Sequence, residues 1–140
     1  MRHVLFHVDR EHYALPLSAI KEVVPAPSFF TRVPRAPAAL KGVMTLRGRV
    51  VPVVDMRALL ALEGAPLAPM ARVVLLDRGR RELGLLITDV DGIEAIERVS
   101  APGAAHGQPV KGLTQLGARA VTVLDPDGLD SAVAHAVMTR

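Results

Sequence analysis

Lys41-Gly-Val-Met-Thr-Leu-Arg-Gly-Arg-Val-Val-Pro-Val-Val-Asp-Met-Arg-Ala-Leu-Leu60 reads as a strand, a tight turn at Arg47-Gly48, a second strand and the opening of a short helix. Apolar residues alternate on either side of the turn, which is the pattern of a half-buried hairpin. Asp55 stands where an N-cap belongs, ahead of Met56, Leu59 and Leu60 at helical spacing. Arg47 and Arg49 flank Gly48 at the tip, and Arg57 follows. Cations on so rigid a mount suit gripping a partner better than keeping the chain in solution.

Outward from this hairpin the chain repeats the same grammar. His3–Val8, Tyr13–Leu17 and Ile20–Val24 read as strands before it, and 25–37 as a stiff, proline-dense loop. A connector over 64–69 is the candidate boundary. Strands are then expected over 72–76, 83–88, 93–97, 110–116 and 120–124, with a second loop over 101–109 and a C-terminal segment capped at Asp125. Arg78-Gly79-Arg80-Arg81 reads as a hairpin tip. Pro16 and Pro52 fall inside strand-like runs, which places them at edges, strand starts or bulges. Short strands, many turns and two short helical patches indicate an all-β fold of small barrels.

Sliding the sequence against itself by 70 residues superposes Lys41-Gly42 on Lys111-Gly112, Arg49 on Arg119 and Asp55 on Asp125, with no gap. Val51 and Val53 meet Val121 and Val123, and Val4-Leu5 meets Val74-Leu75. The pattern is a duplication: one 140-residue domain with approximate subdomains 1–68 and 69–140, between which strands are free to exchange. Units of that size bury only about 60% of their unfolded surface, so the two should pack together and leave a groove. Residues common to both copies read as scaffold: Lys-Gly, Arg49 and Asp55. Arg47 and Gly48 meet Gly117 and Ala118, so Arg47 belongs to the first copy alone.

Composition narrows the function. Half the residues are apolar and mean hydropathy is +0.30, which excludes disorder. No apolar run reaches the roughly 20 residues of a membrane span, and the N-terminus lacks the form of a signal peptide, so a cytoplasmic protein is expected. With no cysteine there is no thiol chemistry or disulfide. The net charge of +3 raises the prospect of nucleic acid, but four aromatic residues (Phe6, Tyr13, Phe29, Phe30) are too few for a stacking platform. No nucleophile elbow, P-loop, dinucleotide fingerprint or zinc helix motif occurs. His3 and His7 lie about 13 Å apart on one strand, and His12, His106 and His135 read as isolated. Asp89 and Asp91 precede Gly92 in a turn or bulge. A calcium loop from Asp125 fails at Leu129 and Ala136. The expectation is a binding module with no catalysis, cofactor or metal.

The run Tyr13-Ala-Leu-Pro-Leu-Ser-Ala-Ile-Lys-Glu-Val-Val24, then Val33-Pro34, Gly42-Val43, Leu46-Arg47-Gly48, Pro52-Val53, Asp55 and Arg57 closely resembles the CheW family. Gly84-Leu85-Leu86-Ile87 with Asp89, Val110-Lys-Gly112 and Val123-Leu-Asp125 extend the resemblance over almost the whole chain. It implies two five-stranded SH3-like β-barrels packed together. It also implies an adaptor between the cytoplasmic tip of a methyl-accepting chemoreceptor and the regulatory domain of a CheA-type histidine kinase. Such a protein would be recruited to membrane-associated receptor arrays without inserting in the membrane. The same fold in an array controlling surface motility or gene expression is the alternative, with a basic RNA-binding barrel a distant third. Carried over by position, Ile20, Glu22, Val43, Thr45, Leu46 and Arg47 are the expected partner-binding residues. Gly48, Asp55 and Asp125 serve as turn and caps. Thr45 stands where the family usually has Asn, which removes the amide's paired donor and acceptor.

Overall fold

In the computed structural model, which describes residues 1–60, 62, 69–79, 81–100 and 108–138, the alternating runs form β1 (Arg2–Val8), β2 (Glu11–Pro16), β3 (Ile20–Pro25), β4 (Leu40–Leu46) and β5 (Arg49–Asp55). A short helix α1 (Met56–Leu59) follows. Then come β6 (Arg72–Arg78), β7 (Arg81–Ile87), β8 (Asp89–Ala95), β9 (Val110–Leu116), β10 (Arg119–Leu124) and the helix α2 (Pro126–Met138). Most of the expected connector and second loop, 64–68 and 101–107, lies outside the described residues.

The strands form two five-stranded sheets. Sheet I runs β3-β6-β7-β5-β4 and sheet II runs β8-β1-β2-β10-β9. Adding five to each strand number, cyclically, converts one order into the other, so the 70-residue repeat is a repeat of topology. Even the irregularities recur. The antiparallel register skips Lys21 between β3 and β6 and Asp91 between β8 and β1, and it skips Lys41 and Lys111 in the two hairpins. Each sheet takes strands from both sides of the 68/69 boundary: β6 and β7 complete sheet I, while β1 and β2 complete sheet II.

Both sheets roll into SH3-like barrels. The chain leaving edge strand β3 comes round to the opposite edge, where Thr31 and Val43 exchange backbone hydrogen bonds of 3.0 and 2.8 Å. Ser100 and Leu113 do the same in sheet II at 2.9 and 2.8 Å. This closure explains the repeated Lys-Gly. A Cβ on Gly42 would stand 2.6 Å from the Thr31 carbonyl oxygen, and one on Gly112 only 2.1 Å from that of Ser100. Any side chain there would push the closing segment off the edge it seals.

Alternation within the strands divides the core into three. Val51, Val53, Val73, Leu75 and Leu86 fill barrel I, and Leu5, Ala14, Val121 and Val123 fill barrel II. The opposite faces of the same strands, carrying Phe6, Tyr13, Leu15, Val54, Val74, Leu76, Leu85 and Leu124, make one larger core between the barrels. Strands buried on both faces carry near-continuous apolar runs, and Val73–Leu76 is such a run. Full burial of each aliphatic or aromatic side chain contributes about 1.5–3 kcal/mol.

Several local expectations are corrected. Pro52 lies in β5, an interior strand; the parallel register with β7 starts one residue later, at Val53 against Gly84, so the missing N–H disrupts no pairing there. The strand expected over 93–97 spans Asp89–Ala95, with Gly92 inside it and Asp91 bulged. The strand expected over Tyr13–Leu17 ends at Pro16, after which Leu17–Ala19 make a single 3-10 turn. His12 is not isolated: it faces His7 across the β1–β2 hairpin.

Candidate functional site

The β4–β5 turn is built on two left-handed residues, Arg47 at φ 47° and Gly48 at φ 78°. Two consecutive positive φ values define the hairpin turn whose twist matches that of its strands, a turn that favours Asn-Gly. An arginine in that position costs about 1–2 kcal/mol of backbone strain. The second copy has Gly117 at the matching place, at φ 63°. The fold therefore accepts strain to hold one particular side chain at this tip, and such strain clusters at functional positions.

That side chain reaches the opposite edge of barrel I, where the Arg47 guanidinium donates to a Glu22 carboxylate oxygen on β3. Beside them Glu82 Oε1 forms ion pairs with Lys21 Nζ at 3.3 Å and Arg49 Nη2 at 3.0 Å. Skipping Lys21 in the β3 register lets both Lys21 and Glu22 join this rim. Three cations and two carboxylates thus ring one end of the barrel.

Below the rim, the outward face of the hairpin is apolar. Val43 and Thr45 lie on β4 with Met44 turned inward between them, and they pair across with Pro52 and Val50 of β5. Val50 is 68% exposed, unusual for a β-branched residue in an interior strand. A groove of about 690 Å³ runs along this region, bounded by Arg49, Val50, Pro52 and Glu82 on the barrel and by Asp130 and Val133 of α2. The helix is seated by Leu129, fully buried in the inter-barrel core, with Val133 packed against it, and ion pairs flank it. Arg78 binds Asp127, and Arg81 donates to Asp130 at 3.0 Å; Asp127, and after it the other nearby aspartates, raise Arg78 further above its ordinary range.

The six expected binding residues are brought together in part. Glu22 and Arg47 touch, and Val43 and Thr45 share the outer face. Ile20 sits at the start of β3, half-buried against the inter-barrel core. Leu46 falls on the inner side with Met44 and packs against the interior of barrel I. Arg49, assigned to the scaffold by the repeat, lies on the groove rim. Sequence reasoning missed Val50 and Glu82; Val50 was legible as an apolar residue at an outward position, whereas Glu82 needed knowledge that β7 lies in barrel I.

Asp55 and Asp125 stand at the opposite ends of their strands. Asp55 Oδ1 accepts the backbone N–H of Arg57 at 2.9 Å and its Nε–H at 3.2 Å, and Asp125 Oδ1 accepts the Asp127 N–H at 3.1 Å. The Asp55 carboxylate, followed by that of Asp9, raises the Arg57 guanidinium further above its usual range against the opposing effect of burial. In barrel II, His7 Nδ1 and Asp91 Oδ1 are 2.8 Å apart, with His12 and Arg119 at 3.5 and 3.9 Å from the same carboxylate. Among the described residues, no group of three such side chains is placed to hold a metal ion, and no helix is long and apolar enough to cross a membrane.

A model of the CheW-like domain matches residues 2–133 of this sequence. The chemotaxis protein CheW of Klebsiella aerogenes is 30% identical over 118 residues, covering 82% of this chain and 70% of that one. CheW of Thermotoga maritima is 28% identical over 126 residues, covering 87% and 82%. The protein PilI of Pseudomonas aeruginosa is 28% identical over 89 residues, 64% of this chain but only 49% of its own length. In three dimensions the chain is similar to the crystal structure of the scaffolding protein TtCheW from Thermoanaerobacter tengcongensis. The TM-score is 0.76 at 20% identity, over 89% of this chain and 88% of that one.

Proposed function

The chain belongs to the CheW-like family, and we propose from this that it is a non-enzymatic adaptor of chemotaxis signalling, joining the cytoplasmic tip of a chemoreceptor to the regulatory domain of a CheA-type histidine kinase. In this reading it is cytoplasmic and reaches membrane-associated arrays only by binding receptors. The receptor tip lies along the outer face of the β4–β5 hairpin, over Val43, Thr45 and Val50, with the Glu22–Arg47 pair at its end.

The observation that carries the reading is Arg47 itself, a strained, exposed arginine at the tip of the hairpin whose outer face is apolar. A guanidinium presents a planar fork of donors suited to carboxylates on a partner. Reconstitution with a receptor tip and kinase tests it: Arg47→Glu should abolish co-sedimentation while the fold is kept, because the exposed Glu22 pair that it breaks is worth only about 0–1 kcal/mol. If the variant unfolds, the arginine is structural and the site is misplaced. Similarity to PilI as well as to chemotaxis proteins favours one further reading, the same coupling role in a related chemosensory pathway. A receptor and kinase encoded beside this chain would tell the two apart.

A further inference from the structure

From residue 23 to residue 54 the chain carries Arg32, Arg35, Lys41, Arg47 and Arg49 and not one carboxylate. Arg47 and Arg49 are engaged by Glu22 and Glu82 at the groove end of barrel I. The other three belong to the β3–β4 loop and the first residues of β4, at the far end of the barrel, about 20 Å away along β4. There the loop bounds a depression of about 840 Å³. Among the described residues its cations are Arg32, Lys41 and Arg57, and its one carboxylate, Asp55, is already held by Arg57. Its apolar wall includes Phe30, Met70 and Leu86, and Phe29 stands 79% exposed at its lip.

The loop is preorganised. Thr31 is tied to Val43 by two backbone hydrogen bonds, Ala26 N–H donates to Ala71 at 2.9 Å, and Leu40 N–H donates to Pro37 at 3.0 Å. Prolines 25, 27, 34 and 37 fix φ along its length. An exposed phenylalanine on a stiff arm beside fixed cations loses little entropy on binding, which is how rigid aromatic anchors contribute affinity.

We infer that this depression is a second docking surface, and that it takes an acidic segment of a partner protein carrying an apolar side chain. Carboxylates of the segment pair with Arg32 and Lys41, and its apolar side chain enters beside Phe29 and Phe30. Charge complementarity selects an anionic occupant, and the apolar wall selects a peptide over a phosphate backbone. A concave site with one exposed aromatic does not match the flat face of a bilayer. The surface lies at the opposite end of the barrel from Arg47, so an adaptor can hold both partners at once.

The test uses the full chain labelled with nitrogen-15 and an acetylated peptide of alternating glutamate and leucine. The expected result is amide shifts confined to Phe29–Lys41 and Met70. Binding should weaken about tenfold or more in Arg32→Glu/Lys41→Glu and with a glutamine-for-glutamate peptide. Phe29→Ala should weaken it with no change in thermal midpoint. The inference is overturned if the peptide does not bind, if shifts fall elsewhere, or if anionic phosphatidylserine vesicles or a mixed oligonucleotide displace it. Arg47→Glu should leave peptide binding intact, so failure of the groove assignment and failure of this one are read separately.

Discussion

Arg47 and Glu22, 25 positions apart in the chain, meet across the two free edges of a five-stranded sheet. The contact exists only because the sheet is rolled: β3 and β4 lie at opposite ends of its strand order. In the other barrel the matching positions are Gly92 and Gly117, so the pair is an addition to the shared scaffold.

Strain at this turn makes stability and binding move in opposite directions. Arg47→Asn places a residue suited to positive φ in the turn and removes an exposed ion pair worth about 0–1 kcal/mol. The expected outcome is stability held, or raised by up to about 1 kcal/mol, with receptor binding lost. Urea denaturation beside co-sedimentation checks both halves.

Barrel closure predicts a matched pair of defects. Gly42→Ala and Gly112→Ala each force a methyl against the backbone of the closing segment, and each should cost about 1–3 kcal/mol. Hydrogen exchange should show the amides of Thr31 and Val43 released in the first variant, and those of Ser100 and Leu113 in the second. Release of the same amides in both would mean that the barrels do not close independently.

Tyr13 stacks on Phe6 at a centroid distance of 5.7 Å, buried in the inter-barrel core. Burial, and after it the Glu11 carboxylate, push its phenol from about 10 up to about 12. The folded chain favours the neutral phenol, so this contribution is intact below pH 10 and is lost as pH rises through 12. Thermal midpoints should fall across that window, and Tyr13→Phe should flatten the fall.

The outward apolar face gives a subtler prediction. Val50→Asp alters a residue that is 68% exposed and should change stability by less than about 0.5 kcal/mol. If a receptor tip lies on this face, co-sedimentation weakens; retained binding would move the tip elsewhere.

Much of this was legible in the chain because local grammar is strong. Alternation and an Arg-Gly turn specify the hairpin, Asp55 specifies the helix start, and recurrence at 70 residues specifies two like units. What stayed hidden depends on which strands meet. A repeat states that β1 and β6 are alike, but not that β6 completes the barrel begun by β3. His7 and His12 share one carboxylate only through a register that neither local run reveals. Leu46 shows the same limit: it neighbours Arg47 in sequence, yet strand alternation sends it inward with Met44. Glu82 comes to the site rim only through the strand exchange.

A charge swap separates an Arg47 that grips a partner from one that merely holds the barrel shut. Glu22→Arg/Arg47→Glu restores an ion pair across the same two edges with its polarity reversed. Co-sedimentation of this double variant with receptor tip and kinase should be lost although its thermal midpoint matches that of the parent. Full recovery of binding relative to Arg47→Glu alone would make the pair a clasp for the barrel and not a grip on a partner.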